Sequence, residues 1–488
     1  MSIRRFAAVF LGCAGALLAA DDLDSQMKSV IDAYAALEQN AADPVSSEQA
    51  FYQGAIPGLL RKLDPHSIFF DPGQFQQLQK LETSTQKGFG TVVSIVPGRV
   101  IVLQTLPGTP SAKAGLTPGD EILGINGYQI SRLDSDQLME LLGQARQMPA
   151  ALDVRRAGTS RVMRFTLIPE EMQQPSVERS FFVAAGIGYI KVGSFEESTA
   201  KLIQEAIEKL GGENLNGLVL DLRGNPGGLL TAAVETASLF LPPGAPIVTV
   251  RGRNVPEHTE KVPATAKPYR FKLAILLNEK TASASEIVSG AMQDHDRATI
   301  LGVPSYGKGL VQSVFPLSES TGLALTTALY YTPSGRSIQK PLDAARFELA
   351  ATTAHPNGVK QFHTDKGRIV TGGGGIQPDI VVYPPAMNRL RAALEGSASF
   401  PNYATEYLSQ HKVTDDFEVT PELLDQFKAY LSDRAIQPGV AEWSAEREYV
   451  ENRLKTEILN QALGVDKGDQ VEAQRDPVIL RALETLGR

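Results

Sequence analysis

The apolar positions of this chain change period along its length, and each period predicts a different kind of element. From Gly88 to Glu170 short apolar runs alternate with turn residues, so Val92–Val96, Arg99–Thr105, Glu121–Ile125, Ala151–Arg155 and Arg161–Ile168 read as strands, with one helix over Ser135–Gln147. That pattern predicts a compact, mostly-β domain. From Gly188 onward strand and helix patterns alternate. Strands are predicted at Gly188–Val192, Asn216–Leu222, Lys272–Leu277, Ala298–Val303, Leu310–Phe315, Thr321–Pro333 and Asp379–Tyr383. Helices are predicted at Ser198–Leu210, Leu229–Leu241 and Ala284–Asp294. An alternation of this kind predicts an α/β core. Asp22–Leu81 has helical spacing at Tyr52, Ile56, Leu59, Leu60 and Leu63, and Leu390–Arg488 is charged and helical, clearest at Glu422–Leu431 and Ala445–Leu463. The chain therefore divides into 1–20, a helical region 21–87, the β domain 88–170, an α/β core 171–384 and a C-terminal helical region 385–488.

The chemistry concentrates between Leu276 and Gln312. Lys272–Leu277 is apolar enough to be a buried strand, and Thr281-Ala-Ser-Ala-Ser-Glu286 has the hydroxyl-rich, acid-following composition of a helix start. Ser283 then stands on a strand-to-helix turn, where unpaired backbone N–H groups can stabilise a developing oxyanion. A serine needs a base. His295 lies at the far end of the predicted helix, roughly 16 to 18 Å away at about 1.5 Å per residue, which removes it from consideration. Lys308, in Ser305-Tyr-Gly-Lys-Gly309, follows a strand that can return the chain to the helix start. A lysine of ordinary pKa is neutral in only about one molecule in 2,500 at pH 7, so a lysine base must be desolvated. Gly307 and Gly309 suit a backbone packed tightly around such a side chain.

Thr281-Ala-Ser-Ala-Ser-Glu-Ile287 followed by Tyr306-Gly-Lys-Gly-Leu-Val-Gln312 resembles the signature of the carboxyl-terminal processing peptidases, also called tail-specific proteases. Leu220-Asp-Leu-Arg-Gly-Asn-Pro-Gly-Gly-Leu229 is similar to that family's Gly-rich turn. Leu63-Asp-Pro-His-Ser67 and Ala114-Gly-Leu-Thr-Pro-Gly-Asp-Glu-Ile122 are similar to its N-terminal and PDZ segments, and Gly373–Ile380 to its closing motif. The resemblance implies Ser283 as nucleophile, Lys308 as general base and Gln312 as the residue that orients the lysine. It implies an oxyanion hole made by Ala284 with Gly227 or Gly228, and a carboxylate-binding loop at Gly88-Phe89-Gly90-Thr91 that accepts a peptide as an added strand. The fold it implies is a protease core resembling the crotonase-like, ββα-spiral fold, with a PDZ domain and helical terminal regions. The implied activity is a serine endopeptidase with a Ser-Lys dyad and no metal or cofactor, acting on proteins with accessible, apolar C-terminal tails. An activating partner and a homo-oligomer also fit it. The N-terminal helical region is open to two uses, dimerisation or gating on one side and a packing collar on the other.

Composition narrows the alternatives. With 488 residues, 42% hydrophobic and 21% charged, the chain is globular and long enough for about three domains. A net charge of −8 with no basic run argues against nucleic acid as a partner. Met1–Ala20 reads as an export signal, with Arg4 and Arg5 before an apolar core and Leu18-Ala-Ala-Asp21 as cleavage site, which points to the periplasm or cell envelope. Cys13 is the only cysteine, so no internal disulfide forms, and Leu11-Gly-Cys-Ala14 faintly resembles a lipoprotein attachment site. His66 reads as part of an Asx-type turn. His355 and His363 lie in the polar stretch Phe347–Val370, without metal-ligand spacing. Gly302–Lys308 has the glycine and lysine spacing of a phosphate loop, but Gly309 stands where that loop needs Ser or Thr, and a strand follows where it needs a helix. Two other functions remain open: a proteolytically inactive PDZ adaptor on the same scaffold, and an acyl-CoA hydratase-like activity.

Overall fold

Neighbouring residues of a strand point to opposite faces of its sheet, so a strand covered on both sides must be apolar throughout. The computed structural model describes residues 23–76, 86–96, 98–106, 108–146, 148–156, 159, 161–172, 175–341 and 360–487. The segment 1–20 with Cys13, and His355, lie outside those residues. The chain forms two compact units, Met1–Gln79 with Gln312–Thr327 and Leu342–Glu348, and Lys80–Val311 with Ala328–Pro341 and Leu349–Arg488.

The larger unit is built on six strands in the order β1 (Val177–Ala184), β2 (Ile187–Val192), β3 (Gly217–Asp221), β4 (Lys272–Leu277), β5 (Thr299–Gly302) and β6 (Ile380–Val381). β1 is antiparallel to β2 and the remaining pairs are parallel. Leu218, Leu220, Leu273, Ile275, Leu277 and Ile300 share one core with helices α1 (Thr199–Lys209), α2 (Leu230–Ser238) and α3 (Ala284–Asp294). Val219, Ala274, Leu276 and Leu301 alternate into a second core with Val478, Ile479, Ala482, Leu483 and Leu486 of α4 (Pro477–Leu486). The unbroken apolar run Lys272–Leu277 thus serves two cores. The chain's last helix belongs to the cover of this sheet, although its sequence groups it with the C-terminal helices.

The β domain folds as expected. Thr91–Val96, Arg99–Thr105, Glu121–Ile125, Ala150–Arg155 and Val162–Leu167 form an antiparallel sheet in chain order, with helix Ser135–Ala145 capped reciprocally by Asp134 and Gln137. Its core gathers Val100, Val102, Ile122, Ile125, Leu138 and Leu152. A separate helical core joins Arg389–Gly396, Ser399–Leu408, Pro421–Ser432 and Val440–Leu463 through Phe400, Phe427, Leu454 and Ile458.

Several elements escape the sequence pattern. β1 begins inside Met172–Arg179, a polar stretch with one proline that reads as a linker, because only one face of the strand is buried. Pro246–Arg251 and His258–Lys261 form a hairpin between predicted elements, and Gln361–His363 pairs with Ile369–Thr371 in a stretch that reads as loop. In the smaller unit, residues 23–40 are helical, a π-helix at Gln49–Ala55 runs into Ile56–Leu60, and Ile68–Phe70 pairs antiparallel with Gly322–Ala324. Among the described residues no helix is long and apolar enough to cross a membrane.

Candidate active site

The carboxyl ends of β3, β4 and β5 each open into a loop, which is where parallel α/β sheets place their ligand crevice. After β4 the backbone turns sharply at Ser283, whose φ of 54° and ψ of −117° are unusual for a residue with a side chain. Such a conformation persists only when its surroundings over-determine it, and here they do. Thr281 Oγ1 donates to the Leu222 carbonyl at 2.9 Å, and the Ala282 N–H donates to the Asn225 carbonyl at 3.0 Å. The Ser283 N–H donates to Glu286 Oε2 at 2.9 Å. Ser283 keeps part of its surface exposed at the head of α3, every residue of which is buried.

The loop after β3 is the Gly-rich turn, organised by Asn225. This fully buried side chain donates to the Val192 carbonyl at 3.0 Å and accepts the Gly227 N–H at 2.8 Å. The Gly227 carbonyl accepts from Phe195, and the Phe195 carbonyl accepts from Leu229. Gly227 has a φ of 106°, and a Cβ there would stand 2.7 Å from Ser283 Cβ and 3.0 Å from the Ala284 nitrogen, so the two turns are in direct contact. The Gly227 N–H is committed to Asn225. Among the described residues, the N–H groups of Gly228 and Ala284 donate to nothing.

The loop after β5 is tied to the same place by one buried carboxylate. Glu286 Oε1 accepts Ser305 Oγ at 2.5 Å and the Gly307 N–H at 2.8 Å, and Oε2 accepts the Lys308 N–H at 2.9 Å as well as that of Ser283. The backbone nitrogens of Ser283 and Lys308 therefore share one oxygen. The Tyr306 N–H donates to the Thr281 carbonyl at 2.9 Å. Burial pushes the Glu286 pKa up and its four donors oppose that shift. Burial holds the Lys308 ammonium below its ordinary pKa, against the pull of the Glu286 charge. Lys340, whose chain packs on Gly307, is lowered for the same reason.

His295 caps the far end of α3, with Nδ1 2.7 Å from Asp365 and Nε2 2.7 Å from the Pro246 carbonyl. Gln312 belongs to the smaller unit, where its amide donates to the His66 carbonyl at 2.6 Å. The His66 and Ser67 N–H groups donate to Asp64 Oδ1 at 2.7 and 2.8 Å, the Asx turn expected of that segment. His363 is exposed on its hairpin. In the β domain, Gly88 pairs with Glu170, the Phe89 and Gly90 carbonyls accept from Ser111 and Leu106, and Thr91 Oγ1 bonds Ser111 Oγ. Among the described residues the Phe89 and Gly90 N–H groups donate to nothing. Asn225 and Glu286 carry more of the site than their sequence reveals. Each appears only as one polar letter inside a glycine- or hydroxyl-rich run.

A partly exposed, strained serine beside two unpaired N–H groups and a half-buried lysine is the equipment of a serine-type hydrolase. Comparison with known proteins sharpens the class to peptidase, since residues 186–345 match peptidase family S41 and residues 78–155 match the PDZ domain. A carboxy-terminal-processing protease of Bartonella bacilliformis is 38% identical over 60% of this chain and 68% of its own length. A carboxyl-terminal-processing protease of Synechocystis is 34% identical over 62% and 72%, and the carboxy-terminal processing protease CtpB of Bacillus subtilis is 29% identical over 65% and 67%. A solved photosystem II D1 C-terminal processing protease aligns with 76% of this chain and 96% of its own at 23% identity, with a TM-score of 0.42. The chain belongs to the carboxyl-terminal processing peptidases of family S41 and carries their PDZ domain.

Proposed function

We propose that this protein is an exported endopeptidase in which Ser283 attacks the scissile carbonyl and Lys308 removes its proton. The observation that carries the proposal is the Glu286 carboxylate, which gathers the backbone of Ser283 and of Lys308 onto one oxygen. Desolvation favours the neutral amine a base requires. The oxyanion formed by attack is received by the N–H of Ala284 and, because Gly227 is committed to Asn225, by that of Gly228 rather than Gly227. Lys308 then returns the proton to the leaving amine, and water resolves the acyl-enzyme by the same route. The core is assigned the crotonase-like winding. The PDZ loop Gly88–Thr91 receives a substrate's C-terminal carboxylate, with Phe89 and Gly90 as donors, and the substrates are apolar-tailed proteins of the periplasm or envelope. No metal or cofactor enters the reaction.

The test is cleavage of an unfolded protein substrate by the mature chain. Ser283→Ala and Lys308→Ala should each abolish it, by comparable factors and with the fold intact, because nucleophile and base act as one unit. Substantial activity in Lys308→Ala at neutral pH would assign the base elsewhere.

A further inference from the structure

The Gly-rich turn is rooted at Arg223, and that arginine is gripped from two distant stretches of chain. Its Nε and Nη2 donate to Asp221 Oδ2 at 3.0 and 2.6 Å, its N–H donates to Asp221 Oδ1 at 2.9 Å, and its carbonyl accepts Lys191 Nζ at 2.8 Å. Asp221 is fully buried at the end of β3 and also accepts the Tyr189 hydroxyl at 2.8 Å. The remaining arm, Nη1, donates to Asp476 Oδ2 at 2.6 Å. Asp476 is the N-cap of α4, and its other oxygen accepts the N–H groups of Val478 and Ile479 at 2.8 and 3.1 Å. One carboxylate thus divides its two oxygens between starting the last helix and holding the guanidinium.

Asp221 and Asp476 face Arg223 and Lys191, two carboxylates against two cations. Both partners of the outer pair remain 21% exposed, on the wall of a cavity of about 570 Å³ that also contains Lys191, Asn278 and Lys280. Immediately after Arg223, the Gly224 N–H donates to Asn278 Oδ1 at 2.8 Å and the chain enters Asn225 and the two glycines. A guanidinium freed on one side can pivot, and the backbone it roots moves with it.

We infer that Asp476 is a positioning residue for the peptidase reaction. By clamping Arg223 it fixes the root of the turn that presents the Gly228 N–H, so the last helix of the chain helps to set the oxyanion donor. This rests on the Ser283–Lys308 reading above. It also gives the helix a part in the chemistry beyond covering the sheet. A displacement near 1 Å at a reacting group costs up to about 100-fold. Because Asn225 pins the turn independently, the loss expected here is smaller, about 5- to 30-fold in kcat.

The test compares wild type, Asp476→Ser and Asp476→Asn for kcat, KM and Tm on an unfolded protein substrate. Serine is a preferred N-cap but cannot reach Arg223, whereas asparagine keeps both the cap and a neutral acceptor. Asp476→Ser should lose about 5- to 30-fold in kcat with KM within about twofold and Tm within about 3 °C, and Asp476→Asn should fall about threefold. Unchanged kcat in Asp476→Ser, or a loss carried by KM, overturns the inference. Should Asp476→Ser fail to fold, Asp476→Asn decides, and wild-type kcat in that variant overturns it. A wild-type protein that cuts nothing defeats the peptidase reading and this inference together, whereas active wild type beside an equally active Asp476→Ser defeats this one alone.

Discussion

Adding one methyl group at Gly227 presses the oxyanion turn against the nucleophile turn. An alanine Cβ there would lie 2.7 Å from Ser283 Cβ, 2.9 Å from the Ala282 carbonyl oxygen and 3.0 Å from the Ala284 nitrogen, at a φ of 106°. Carbon atoms rest comfortably at about 3.5 to 4.0 Å, so the turns must separate by roughly 1 Å. Held in place, the alanine would carry about 1–3 kcal/mol of backbone strain and about 1–3 kcal/mol of overpacking. Against a total stability of about 5–15 kcal/mol the variant still folds, with a lowered Tm. The rate suffers more, because separating the turns draws the Gly228 N–H away from that of Ala284. Loss of one oxyanion donor costs about 10²- to 10³-fold in kcat. Gly244→Ala is the control, since Gly244 has a φ of 82° with nothing within 4 Å of its Cβ position. It bears strain without collision, so it should lower Tm and leave kcat alone. Steady-state cleavage of an unfolded substrate and thermal melts of both variants decide the matter. Wild-type kcat in Gly227→Ala would refute the contact between the turns as the origin of the oxyanion site.

Burial lowers the Lys308 pKa below 10.5, so cleavage should rise with pH through a single pKa below that value, and Lys308→Arg, which cannot deprotonate, should be inactive. The same shift bears on stability. Between its folded pKa and 10.5 the lysine holds more protons in the unfolded chain, so stability gains with pH across that window. Lys308→Met should therefore raise Tm at neutral pH, by an amount that shrinks toward pH 10.5, and a Tm gain independent of pH would contradict the assignment. For the PDZ loop, amidating the C-terminus of a tail peptide removes a charged acceptor whose hydrogen bonds contribute about 1.5–3 kcal/mol each. Binding to the full-length protein should weaken roughly tenfold or more, along with cleavage of a substrate bearing that tail; equal binding of acid and amide would return Gly88–Thr91 to a simple turn.

Local signals in the chain were enough to place β4 and α3 at the residues where they form, because an apolar run and a hydroxyl-rich helix start are written over consecutive positions. They also put Ser283 on its turn and set His295 apart from it. They could not say that α4 closes the second face of the sheet, since an amphipathic helix declares a buried side but not what buries it. β1 was hidden for a related reason, one exposed face giving its sequence the look of a linker. The choice between Gly227 and Gly228 depends on which N–H the Asn225 side chain has already taken. Glu286 finds its partners at Ser305, Gly307 and Lys308, 19 to 22 residues along the chain. Asp476 reaches Arg223 across 253. Periodicity records the conformation and burial of a segment. Which buried faces meet, and which polar atoms satisfy one another where they meet, is decided only when the elements pack.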